Sequence, residues 1–276
     1  MKDTHGDSLG ATARWTAAVR ARESERDDRL FHDPFAPLLA GENGLRWIET
    51  RTPESYVSIT IRTRYFDDFL HGVATEQGIR QFVFVGAGMD SRAFRLNWPQ
   101  DCVIFELDKP EVLREKERLL ATVAAVPACI RRAVDADLVS DWQATLLHSG
   151  YQTDHPSCWL FEGILFYLPV ATLTSLLLSA IRLTADGSFI AFDIINGAML
   201  QSPYTKTWVQ MQAEAGAPWI GTMDDPLGFL AEHGVTARLT QAGAADASYG
   251  RWQLPVLPVD APDFPHNWFV TGRKGA

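Results

Sequence analysis

The chain has 276 residues, 46% of them hydrophobic, and a formal net charge of −9 at pH 7. That length suits one large α/β domain or two small ones with a core of ordinary size. The acidic balance excludes duplex binding, which needs a basic surface to release counterions. The three cysteines, Cys102, Cys129 and Cys158, are far apart and lie in or beside apolar runs. They read as buried core thiols, and with no CxxC pair or histidine-rich spacing a metal site has no support. No signal peptide is evident and no apolar run reaches the roughly 18 residues of a membrane span. The expectation is a cytoplasmic enzyme with no nucleic-acid or membrane partner.

In chain order, Met1 to Gly10 is polar and expected to fray. From Ala13 to Arg29, residues Trp15, Ala18, Val19 and Arg22 recur at helical spacing and predict an amphipathic helix. LFHDPFAPLLAG predicts a turn and a short helix ending at Gly41. A long helix is expected from about Glu54 through Leu70, with Tyr56, Ile59, Tyr65, Phe66 and Phe69 as its apolar stripe. Arg62 and Arg64 lie among those aromatics; either they snorkel to solvent or one pairs with a buried carboxylate.

Gln81 to Leu96 reads QFVFVGAGMDSRAFRL. The opening run of Phe and Val predicts a strand buried on both faces of a parallel sheet. Gly86 and Gly88 bracket the turn that follows, where missing side chains let the backbone approach a ligand. Asp90 is the expected N-cap of a helix through Ala93 and Phe94, with Ser91 in its first turn. Such a turn is either a tight strand-to-helix connection or the nucleotide-binding edge of an open α/β sheet. The next strand, VIFELD (Val103 to Asp108), ends in an acid roughly 20 residues past the glycines, where a carboxylate accepts from ribose hydroxyls. Together they point to an adenosine site. Ser91, where the third glycine of GxGxxG would stand, speaks against NAD.

Lys109-Pro110-Glu111 opens a helix carrying Val112, Leu113, Leu119 and Leu120. Cys129 to Val134 is the third strand candidate. In the acidic loop that follows, Asp137 either faces an adenine amine or caps the next helix. Ser157 to Leu168 runs from a fourth strand into a loop where Glu162 and Gly163 interrupt the apolar run. A carboxylate there must be paired or wet, which makes Glu162 a site candidate. Pro169 starts a helix through Leu183, and SFIAFDII is the fifth strand. From Gly197 to Asp224 the rhythm breaks. There Tyr204, Trp208, Met211, Trp219 and Met223 read either as plain core or as the wall of an organic acceptor pocket. A short helix over Asp225 to Gly234 and strands over Thr236 to Thr240 and Trp268 to Lys274 complete the chain.

The segments RARESERDDRLFHDPFA, IRTRYFDDFL, FVGAGMDSRAFRL, FELDKPEVLREK, ADLVSDW and FEGILFYL together resemble the leucine carboxyl methyltransferase family. The likeness is to its bacterial branch, which includes the tetracenomycin polyketide O-methyltransferase, and it covers nearly the whole chain. It implies a single α/β domain with the Rossmann-like class I methyltransferase fold: a seven-stranded, mostly parallel sheet with its last strand antiparallel. It also implies a helical lid within residues 1–75, and residues 197–224 read as an acceptor-side insert. The implied cofactor is S-adenosyl-L-methionine, with S-adenosyl-L-homocysteine as product. Arg62 would bind the methionine carboxylate, Gly86 and Gly88 would pass beneath the methionyl part, and Asp108 would hold the ribose, with Glu106 as second choice. Asp137 and Leu138 would bracket the adenine, Glu162 would lie near the methionyl ammonium, and Arg20 or Arg22 would contribute from the lid.

Displacement at a sulfonium methyl asks the protein to align two reactants and exclude water. A carboxylate acceptor needs no base, whereas a phenol needs one or a nearby cation. His32, His71, His148, His155 and His233 read as surface or cap residues, which tilts the expectation toward a carboxyl acceptor, with Arg64 or Tyr204 orienting it. The expected partner is a small aromatic or polyketide-like acid of secondary metabolism. Alternatives are a protein C-terminal carboxyl methyltransferase, a nicotinamide oxidoreductase, or a nucleotide-binding protein without catalysis.

Overall fold

A computed structural model of the protein describes residues 4–138, 140–261 and 263–275. Three helices precede the sheet: α1 (Thr4–Ser24), α2 (Ala36–Glu49) and α3 (Pro53–Thr75). Of the stretch expected to fray, residues 1–3 lie outside the described residues, and the chain is helical from Thr4. α1 stops at Ser24, short of Arg29, because its own last residues fold the chain back. Glu23 Oε1 accepts from the Leu30 amide and Ser24 Oγ from the Asp33 amide. The helix expected to end at Gly41 kinks there, at φ 59° and ψ −179°, and resumes to Glu49. Gly44 then lets α2 touch α1, since a Cβ there would stand 2.6 Å from the Arg14 carbonyl oxygen.

Strands and helices then alternate: β1 (Gln81–Val85), α4 (Arg92–Arg95), β2 (Val103–Asp108), α5 (Pro110–Ala121), β3 (Ile130–Asp135), α6 (Trp142–His148), β4 (Ser157–Phe161), α7 (Val170–Leu183) and β5 (Phe189–Ile195). The segment after β5 holds α8 (Gly197–Gln201) and α9 (Lys206–Glu214), followed by α10 (Pro226–Ala231), β6 (Val235–Gln241) and β7 (Asn267–Lys274). Among the described residues the sheet has seven strands in the order β3-β2-β1-β4-β5-β7-β6. β7 runs antiparallel to β5 and β6, and the other pairs are parallel.

The alternation of side chains along a strand divides the core into two faces. Val83 and Val85 of β1 pack with Phe105, Trp159 and Phe161 against Leu173 and Leu177 of α7. Phe82 and Phe84 face the other way, toward Ile61, Phe66 and Leu70 of α3 and Phe269 of β7. A smaller cluster joins Ala17 and Ala18 of α1 and Leu39 of α2 to Met89 in the glycine turn. The helices before the sheet are thereby fastened over its carboxyl edge. Chain order reverses between β1 and β4, the kind of crevice in which open α/β sheets bind ligands. Among the described residues no helix is long and apolar enough to cross a membrane.

Candidate active site

A cavity of about 370 Å³ lies at that reversal, walled by the glycine turn, the ends of β2 and β4, and residues of α1, α2, α3 and α9. The turn is tied to the neighbouring strand, with the Gly86 and Ala87 amides both donating to the Leu107 carbonyl at 2.8 and 3.0 Å. Gly86 and Gly88 take φ of 67° and 45°, a region costly for residues with a Cβ. A Cβ on Gly86 would stand 2.9 Å from Ile164 Cδ1, and one on Gly88 would stand 3.1 Å from Ala13 Cβ of α1. Asp108 at the end of β2 accepts from the Gly88 amide at 2.6 Å and the Lys109 amide at 2.7 Å. Burial pushes its carboxyl above the ordinary carboxylate range against those two hydrogen bonds.

A buried ionic network lies beneath the cavity. Arg62 donates through Nε to Glu162 at 3.0 Å and through Nη1 to Asp193 at 2.6 Å. Burial opposes its charge, but Asp193 and Glu162 hold it well above the ordinary arginine range. Arg92 meets Asp67, Asp90 and Glu162 at 2.5 to 2.7 Å, Arg95 meets Asp67 at 2.7 Å, and Arg20 joins Asp33 at 2.9 Å. Within this network five carboxylates (Asp33, Asp67, Asp90, Glu162, Asp193) face four guanidiniums (Arg20, Arg62, Arg92, Arg95), an excess of one negative charge. Sequence reasoning missed Asp193 and Asp67. An acid inside an otherwise apolar buried strand, as at Asp193 in FIAFDII, is the signal that could have found the first.

Of the candidate site residues, Arg62, Gly86, Gly88, Asp108, Asp137, Leu138 and Glu162 all line the cavity, and so does Arg20 of α1. Four placements differ from expectation. Glu106 is fully buried and paired with Lys116 at 2.7 Å and Arg131 at 2.8 Å; two residues back from the strand end, it is covered by α5 and does not line the cavity. Arg64, two residues from Arg62 and so on another side of α3, pairs with Asp68 at 2.9 Å, donates to the Leu30 carbonyl and lies over the Tyr249 ring. Tyr204 is 86% exposed and faces a separate surface groove. Arg22 is exposed and pairs with Glu25. Asp90 is also not the N-cap: Ser91 holds that position, and Asp90 instead accepts from the Arg92 amide at 2.7 Å.

These residues fit a sulfonium nucleoside. The glycine floor is space that a Cβ would fill, and Asp108 keeps acceptor capacity beyond its two amide bonds. Among the described residues Arg62 Nη2 has no hydrogen-bond partner, leaving a donor for a carboxylate. The network's excess negative charge complements a ligand bearing sulfonium, ammonium and carboxylate, net positive by one.

A mostly parallel sheet of this order, with an acid-and-glycine crevice at its reversal, is the Rossmann-like class I methyltransferase fold. Residues 13–181 match the model of the leucine carboxyl methyltransferase family, and the chain belongs to that family. It is 36% identical over 259 residues to a Streptomyces coelicolor protein named for S-adenosyl-L-methionine-dependent methyl transfer, covering 90% of each. A Parafrankia protein named for the same activity is 37% identical over 278 residues, with 96% of this chain and 87% of its own length covered. Among solved structures, a DUF574 family protein from Streptomyces avermitilis superposes with a TM-score of 0.59 at 18% identity, covering 94% of this chain and 96% of that one. An O-methyltransferase family protein from Burkholderia thailandensis superposes at 0.52 with 10% identity, covering 97% and 70%. The protein is an S-adenosyl-L-methionine-dependent methyltransferase of the leucine carboxyl methyltransferase family.

Proposed function

We propose that the protein methylates an oxygen, a carboxylate or a phenolate, of a small flat aromatic acceptor. The observation that carries this reading is the aromatic lining of the cavity. Trp15 of α1 stacks on Trp47 of α2 at 5.0 Å and 8°. Trp219 packs between Trp208 of α9 at 6.2 Å and Phe166 at 4.9 Å. All five rings line the same cavity as Asp108 and Arg62. Rigid amphipathic rings of this kind hold a planar ligand by stacking and area burial.

When bound, S-adenosyl-L-methionine would supply an electrophilic methyl group for transfer to the acceptor oxygen, leaving the thioether S-adenosyl-L-homocysteine, and the part of the chain itself is to align the two reactants and exclude water. Arg62 Nη2 would hold the methionine carboxylate, Asp108 the ribose hydroxyls, and Asp137 and Leu138 the adenine. Gly86 and Gly88 admit the methionyl chain by their lack of side chains. Glu162, with one oxygen on Arg62 and the other on Arg92, would present its remaining lone pairs to the ammonium. α1 closes the site from above through Ala13, Trp15 and Arg20. Among the described residues no histidine or cysteine lines the cavity, which favours an acceptor that arrives already ionised.

The test is a screen with methyl-deuterated S-adenosyl-L-methionine against aromatic acids, phenols and a peptide ending in leucine, read by mass spectrometry. Methyl gain on aromatic acids supports the reading. Gain on the peptide alone would replace it with protein carboxyl methylation.

A further inference from the structure

Arg51 follows the end of α2 and joins two elements of the cavity wall. Its guanidinium lies over the Trp47 ring at 5.2 Å, and its Nη1 reaches Met211 Sδ of α9 at 3.0 Å, across 160 positions of chain. Trp47 lines the cavity, and so does Gln212, the residue after Met211. Arg51 therefore touches the lining without being part of it.

Its partners set this arginine apart. Arg20, Arg62 and Arg92 of the lining are each bound to carboxylates, whereas among the described residues Arg51 meets none. A thioether sulfur is a weak acceptor, and the face of an indole offers only partial negative charge. The Arg51 Nε is moreover buried with no hydrogen-bond partner. Charge withdrawn from water is costly unless it is paired and hydrogen-bonded, so a guanidinium held this weakly beside a ligand cavity marks the place of a ligand anion. Gln212 adds a second unsatisfied group: it is 6% exposed, and its Oε1 has no partner among the described residues. Turned about its last bond, a side-chain amide presents its NH₂ to an anion.

We propose that Arg51 is a specificity-determining residue that selects acceptors carrying a carboxylate. Its guanidinium exchanges Met211 for that group, and Gln212 donates to the same anion. The exchange trades a weak acceptor for a charge-assisted pair of matching planar geometry. The inference rests on the aromatic-acceptor reading above and narrows it to anionic acceptors.

Calorimetry on the full chain saturated with S-adenosyl-L-homocysteine tests it with cinnamate and its neutral isostere cinnamamide. Cinnamate should bind about tenfold more tightly, as a hydrogen bond to a charged group allows. In Arg51→Gln the two probes should bind equally, through loss of cinnamate affinity alone, with cinnamamide and S-adenosyl-L-homocysteine unchanged. Arg51→Lys, which keeps the charge but not the fork of donors, should retain part of the preference.

Equal affinities in the wild type, or a preference for cinnamate that survives Arg51→Gln, would each overturn the proposal while leaving the methyl-transfer reading intact. Loss of S-adenosyl-L-homocysteine affinity in both variants would overturn it too, by making Arg51 a structural link between α2 and α9. Binding of S-adenosyl-L-homocysteine with neither probe would remove the aromatic-acceptor reading and this inference together.

Discussion

Asp108 and Glu106 show how much turns on two residues of one strand. Both are acids on β2, but Asp108 ends the strand at the cavity whereas Glu106 is sealed between Lys116 and Arg131. Asp108→Ala should therefore weaken S-adenosyl-L-methionine binding by about 1.5–3 kcal/mol, the size of a hydrogen bond to a charged group; calorimetry that found near-normal affinity would take the ribose role away from it. A pH dependence follows from the same carboxyl. Because burial raises its pKa and ribose hydroxyls favour the ionised form, affinity should fall as pH drops through a value above the ordinary carboxylate range, and Asp108→Asn should flatten that profile. For stability the sign is opposite: a raised folded pKa contributes stability at low pH that is lost as pH rises through it. Asp33 behaves the other way. Burial pushes it up, but Arg20, Arg95 and Ser91 hold it below its ordinary value, so its contribution is present at neutral pH and lost as pH falls. Asp33→Asn should cost about 3–5 kcal/mol, as breaking a buried pair does, with a smaller acid-side slope in denaturation midpoints than the wild type.

At the level of elements, the glycine turn is where local geometry and ligand space coincide. Gly86→Ala puts a Cβ into a left-handed conformation and against Ile164, itself part of the cavity wall. A loss on the order of 1–2 kcal/mol is expected from the backbone alone, together with weaker cofactor binding, both measurable in one thermal-shift titration. Gly72 is the contrast: it lies within α3 with open space around it, and Gly72→Ala should stabilise by about 0.5–1 kcal/mol without touching affinity. Element order was largely legible beforehand, since β1, β2, β4 and β5 are short apolar runs between turn signals and α3 and α7 carry helical periodicity. Helix ends were less so. α1 ends where Glu23 and Ser24 capture amides of the following loop, and a side chain bonding seven or nine residues ahead leaves no periodic trace.

For the whole molecule, binding across the sheet edge joins the N-terminal helices, the two halves of the sheet and the segment after β5. A ligand that binds only the folded chain at a hundred times its Kd adds about 2.7 kcal/mol, which for a protein of this size raises Tm by roughly 5 °C or more. S-adenosyl-L-methionine should give that shift in a thermal melt and NAD should not; an equal shift with NAD would contradict the site as described. The net charge of −9 is carried in part by the network under the cavity, whose surplus carboxylate is matched by the ligand's positive charge. That match was invisible beforehand because it depends on which ions are buried together.

Composition, the two glycines, the acid at the end of β2 and the alternation of strand and helix were set by the sequence alone, because each rests on residues within one or two turns of chain. Tertiary structure decided the rest. It joined Arg62 to Asp193 across 131 positions, turned Arg64 and Tyr204 away from the cavity, and brought Gln212 and Asn267 into its lining. Such pairings depend on strand register and on which side of a helix meets the sheet, and these are fixed only when distant segments pack against one another.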